Sequence, residues 1–87
     1  MVPAATNAKS WPSPADEIQD SIRRAMGVRF RNYRDHPSPQ NAWRLQTAMV
    51  AYQVFSKAYS GSATYRTQLV AQWNECGGDL ERFTQML

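Results

Sequence analysis

Arg23, Arg24, Arg29, Arg31 and Arg34 place five guanidinium groups within twelve residues, with no lysine among them. A guanidinium is a flat fork of donors that matches phosphate and carboxylate and stacks on aromatic rings. Such a cluster marks a face suited to something anionic. The other residues with chemistry in reach are His36, beside Asp35 in a proline-bounded loop, and Cys76, the single cysteine. A nucleophile and a base must meet within hydrogen-bond reach, and neither residue lies in a nucleophile signature. Gly77-Gly78-Asp79 lacks the longer glycine pattern and the lysine of a phosphate loop, and its carboxylate would take the anion's place. No paired-carboxylate, zinc-ligand or EF-hand spacing occurs. The chain is therefore expected to carry no catalytic residue, metal site or cofactor, and not to be an enzyme.

The arginines divide once a helix is drawn through them. Arg23, Arg24, Arg31 and Arg34 fall on the polar half of the wheel, away from Ile18 and Ile22. Asp20 can reach Arg23 and Arg24, and Arg31 can reach Asp35, at the three- and four-residue spacing of helical neighbours. These four are the expected anionic-partner surface, set against a plain solvated face with local ion pairs. Arg29 projects into the apolar side beside Ile22 and Tyr33. A charge there must snorkel out, meet a partner, or find an internal carboxylate or aromatic ring, with Glu75, Asp79 and Glu81 as the candidate carboxylates.

The elements that must position these groups are helices. Ser13-Pro14 is a start signal, with serine at the N-cap, proline at the first helical position and Asp16 placed to close a capping box. Ile18, Ile22, Ala25, Met26 and Tyr33 then share one face, with Phe30 at its edge, and Asp35-His36-Pro37 ends the helix. Ser38-Pro39 starts a second helix expected to run to about Ser60. Its wheel shows two apolar faces: Leu45, Ala48, Met49, Tyr52, Phe55 and Tyr59 on one, and Trp43, Val50 and Val54, extended by Ala51 and Ala58, on the other. A helix apolar nearly all round is either covered on both sides or keeps one face for a partner. A third helix is expected from about Ala63 to Cys76, with Tyr65, Leu69, Trp73 and Cys76 in a stripe. Gly77-Gly78 stops it, and Asp79 caps a short last helix in which Leu80, Phe83 and Leu87 share a face.

The expected fold is thus all-α: a compact bundle of three main helices plus a short C-terminal fourth. Residues 1–12 read as a flexible N-terminal arm ending at Trp11-Pro12, and residues 13–87 as a single helical domain. At 87 residues one core is all the chain can build, and one cysteine excludes an internal disulfide. The formal charge of +3 and pI near 9.4 are mildly basic, with eight arginines against two lysines. That bias favours ion pairs or an interface over nucleic-acid packaging. The longest apolar run, Ala48 to Tyr52, is far short of the roughly 20 residues a membrane span needs. No signal sequence is read at the N-terminus, so the expectation is a soluble, cytoplasmic protein.

A compact helical chain of this size without a catalytic motif is similar to small phage- or virus-type accessory proteins that bind and inhibit or adapt a larger partner. The expected function is non-enzymatic binding through protein contacts: self-association into a homo-oligomer, a larger partner, or both. Trp43, Val50, Val54 and Trp11 are the expected apolar interface, with Arg23, Arg24, Arg31 and Arg34 as its charged neighbour. The alternative is nucleic-acid binding by those four arginines. Arg29-Phe30-Arg31-Asn32-Tyr33-Arg34 interleaves bases and rings as single-strand binders do, and Tyr65-Arg66-Thr67-Gln68 would supply a recognition helix.

Overall fold

Local cap chemistry sets the helix boundaries. In this computed structural model, which describes residues 13–58 and 60–87, four helices follow in order: α1 Pro14–Asp35, α2 Pro39–Ala58, α3 Ala63–Glu75 and α4 Leu80–Gln85. The expected arm, Trp11 and Tyr59 lie outside the described residues. Among those described there is no strand. Ser13 Oγ accepts from Asp16 N–H at 3.2 Å and the Asp16 carboxylate accepts from Ser13 N–H at 3.1 Å, a complete capping box. Ser38 Oγ likewise accepts from Asn41 N–H at 3.0 Å and Ser62 Oγ from Tyr65 N–H at 3.1 Å. Gly77 and Gly78 hold φ of 67° and 76°, the left-handed geometry that turns the chain out of α3, and Gly78 N–H returns to the Trp73 carbonyl. Asp79 then accepts from the Glu81 and Arg82 N–H groups at the start of α4.

α1 and α2 form an antiparallel hairpin across the connection at residues 36–38. Gln19 Nε2 donates to Ser56 Oγ at 2.8 Å, and Arg29 Nη1 donates to the Arg44 carbonyl at 2.8 Å, so positions rise along one helix as they fall along the other. α3 packs on both helices of the hairpin, and α4 packs on α2. The core holds Ala15, Ile18 and Ile22 of α1; Ala48, Ala51, Phe55 and Ala58 of α2; Leu69 of α3; Cys76; and Leu80 and Phe83 of α4. At its centre Phe83 stacks on Phe55 with ring centres 5.5 Å apart, and Trp73 meets Phe83 edge-on at 5.4 Å. Among the described residues every buried side-chain nitrogen and oxygen has a partner.

Two expectations about packing change. α2 does not divide into two opposed apolar faces. Its buried strip is Thr47, Ala48, Ala51, Phe55 and Ala58, running between the two expected groups. Leu45, Met49 and Tyr52 form one shoulder of that strip, and Trp43, Val50 and Val54 the other. The alanines let neighbouring helices approach, and Thr47 stays buried by donating its hydroxyl to the Trp43 carbonyl at 2.9 Å. The α1 apolar face is also shorter than expected: Ile18 and Ile22 are buried, whereas Phe30 and Tyr33 are exposed. α3 meets α1 near its start, where Pro14 and Ala15 face Ala63 and Val70, and the six-residue α4 is too short to cover the far end.

Candidate interaction surface

The polar half of α1 carries the four arginines where the wheel puts them, all exposed. Asp20 holds two of them, pairing with Arg23 three residues on and Arg24 four residues on. The Arg23 hydrogen bond, followed by the charges of Arg24 and Arg23, holds the Asp20 carboxyl below its ordinary value, and Arg23 is correspondingly raised. The expected Arg31–Asp35 pair does not form. Asp35 instead accepts from Arg34 Nε at 3.1 Å. Helical side chains lean toward the N-terminus, and for Arg31 the position one turn back is Gly27. A methyl group added at Gly27 would lie 3.8 Å from Arg31 Nη1, so the guanidinium rests over the glycine. Among the described residues Arg31 has no side-chain hydrogen bond or ion pair.

Arg29 behaves as the internal charge. With a side chain only 13% exposed, it grips Glu81 of α4 through Nη1–Oε2 at 2.6 Å and Nη2–Oε1 at 3.3 Å. Of the other candidate partners, Asp79 is the α4 cap and Glu75 is exposed. Arg66 is also structural. It donates to the Ala58 and Gly61 carbonyls at 3.1 and 3.3 Å, closing the C-terminus of α2. A recognition helix built on Tyr65-Arg66-Thr67-Gln68 thereby loses its arginine. His36 is exposed at the hairpin connection, while Cys76 is buried with its thiol against the Trp73 carbonyl at 3.2 Å. No group of three or more His, Cys, Asp or Glu among the described residues could hold a metal, and no helix there is long and apolar enough to cross a membrane.

Of the expected apolar interface, Trp43 is 50% exposed and Val50 is exposed, whereas Val54 is half-buried against the core. A second apolar surface, not singled out by sequence, lies on the opposite shoulder of α2. There α1 and α2 enclose an open groove of about 550 Å³ lined by Arg23, Met26, Gly27 and Phe30 of α1 and Leu45 and Met49 of α2. Phe30 is 55% exposed and Met49 45%, with Met26 and Leu45 half-buried beneath them. In the sequence Met26 lies on the apolar face of α1 with Phe30 at its edge, and Leu45 and Met49 lie on one apolar face of α2. The signal that could have marked them is Gly27, a glycine in the interior of a long helix. The groove runs beside the arginines, sharing Arg23 with their face and touching Arg31 across Gly27.

The chain matches no known family model, no curated protein and no solved structure.

Proposed function

We propose that this chain is a non-enzymatic binding protein whose α1–α2 hairpin engages a protein partner. The observation that supports the reading is the adjacency of exposed large apolar side chains, Phe30 and Met49, to arginines only partly neutralised at home. Apolar anchors beside arginine are the composition of protein interfaces. Between Asp20 and Asp35 the exposed face of α1 carries four arginines against two aspartates. That excess of two charges suits an acidic protein surface. It is small beside the roughly 6–10 phosphate contacts of a strongly salt-dependent DNA binder. At this size the chain would act by covering or adapting part of a larger molecule.

The runner-up, nucleic-acid binding by Arg23, Arg24, Arg31 and Arg34, has the same arginines in its favour but leaves the apolar residues unused. One experiment separates the two. A photo-crosslinking residue placed in turn at Phe30 and at Met49, in cells that naturally make the protein, should yield a protein adduct of defined mass. Arg31→Glu should deplete that adduct. Adducts to RNA or DNA, or none at either position, would refute the proposal.

A further inference from the structure

We infer that the α1–α2 groove is a seat for an acidic amphipathic helix of another protein; the inference rests on the protein-binding reading and names its partner class. Three observations carry it. The first is shape. The α1 residues that line the groove, Arg23 to Phe30, span two helical turns, about 10 Å. They recur at the three- and four-residue spacing of a helix ridge, as do Leu45 and Met49 opposite. A helix laid between two antiparallel helices presents residues at i, i+3 or i+4, and i+7 over that length. Met26 and Leu45 form the floor, with Met49 an adaptable rim and Phe30 an aromatic anchor.

The second is charge, which is one-sided. On the α1 side lie Arg23, which lines the groove and shares Asp20 with Arg24, and Arg31, which rests over Gly27 without an ion pair among the described residues, while α2 lines the groove with Leu45 and Met49 alone. An occupant with carboxylates along one flank fits this arrangement. Residues 1–12 contain no Asp or Glu, so they cannot supply that flank. A second copy of the chain is poorly placed as well. Its Asp20, Asp35 and Glu81 are paired, Asp16 and Asp79 cap helices, and Glu17 and Glu75 lie on different helices.

The third is Gly27. A glycine in a helix interior is unfavourable relative to alanine. Packing within this chain does not require it, because an added methyl would make only ordinary contact at 3.8 Å with the tip of a flexible arginine. What Gly27 does is lower the α1 wall of the groove, so that another backbone can approach closely.

The test is a selection of phage-displayed helical peptides on the full-length protein, followed by binding measurements on variants. The enriched peptides should combine an i, i+3 or i+4, i+7 apolar row with Asp or Glu along one flank. Phe30→Glu should weaken them at least tenfold, Gly27→Leu about tenfold and Arg31→Ala several-fold, while Trp43→Glu leaves them unchanged. Circular dichroism confirms that each variant is folded. Gly27→Ala separates packing from recognition: it should raise the melting temperature of the free protein by a few degrees and still weaken the peptide. A fall in melting temperature would show that the fold itself needs the glycine, and would overturn the third observation. Peptides that lose binding in Trp43→Glu but not Phe30→Glu would overturn the groove and leave protein binding standing. Groove binders without acidic bias would overturn the partner class. No enrichment would overturn the inference, and the crosslinks at Phe30 and Met49 then report separately on the broader reading.

Discussion

Arg29 of α1 and Glu81 of α4 form a two-pronged ion pair, with Nη1–Oε2 at 2.6 Å, that joins segments 52 residues apart. The same Nη1 donates to the Arg44 carbonyl of α2, so one guanidinium ties three helices together. Losing one partner leaves the other charge poorly solvated, whereas replacing both by apolar groups of similar size removes the conflict. Arg29→Ala should cost about 2–3 kcal/mol and lower the melting temperature by roughly 10 °C or more. Arg29→Met with Glu81→Leu should recover part of that loss. Chemical denaturation of the two single variants and the double variant measures the coupling.

Phe83 is the most consequential residue of α4. It is fully buried and touches both Phe55 and Trp73. Phe83→Ala should destabilise the fold by about 3–5 kcal/mol, whereas Phe83→Leu should cost about 1 kcal/mol. Urea midpoints at constant slope would register the difference. Near-equal midpoints for the two would mean that α4 is not part of the cooperative core.

Two glycines should respond to alanine in opposite directions. At Gly77 an added methyl meets nothing within 4 Å, so the penalty is purely the left-handed backbone, about 1–2 kcal/mol. At Gly27 the backbone is helical and alanine should stabilise by up to about 1 kcal/mol. Thermal melts of Gly77→Ala and Gly27→Ala give the two signs directly.

Asp20 should titrate below its ordinary value of 3.8, chiefly because Arg23 hydrogen-bonds its charged form. A carboxylate whose folded pKa is depressed contributes stability that is present above the unfolded value and lost as pH falls through the folded one. The Asp20 contribution should therefore be intact at neutral pH and disappear in acid. Carboxyl NMR titration should find the Asp20 midpoint below 3.8, and Arg23→Ala should return it toward that value.

The exposed side chains Trp43 of α2 and Phe30 of α1 should be dispensable to the fold. Trp43→Ser and Phe30→Ser, at side chains half exposed or more, should each change stability by less than about 1 kcal/mol. A larger loss at either position would show that it belongs to the core.

The helix boundaries were legible because they rest on local chemistry. Ser13-Pro14, Ser38-Pro39, Gly77-Gly78 and Asp79 act within a turn of themselves, and each does in the structure what its type implies. The four-helix, all-α arrangement and the inward turn of Arg29 followed from helical periodicity. The buried strip of α2 did not. With apolar residues all round that helix, Ala48, Ala51, Ala58 and Thr47 carry too little hydropathy to outrank Trp43 or Met49, although small size is what close helix approach requires. The groove was hidden for a related reason. Met26, Phe30, Leu45 and Met49 have the periodicity of core residues, and only the lengths of α3 and α4 decide that nothing in the described chain covers them. Spacing also permitted an Arg31–Asp35 pair, but side-chain direction and the space over Gly27 turned Arg31 the other way.

The alanine strip of α2 has a consequence for how such a protein can change over generations. Because a narrow arc of small residues with Phe55 seats the helix, the exposed large side chains on its flanks, Trp43, Met49 and Val50, are released from the duty of folding. Substitutions at Trp43, Val50 or Met49 can change the chemistry of the surface while the interior stays as it is. A lineage carrying this hairpin could vary its surface without first acquiring spare stability, and its variation should concentrate on the flanks while the strip keeps its small residues and Phe55.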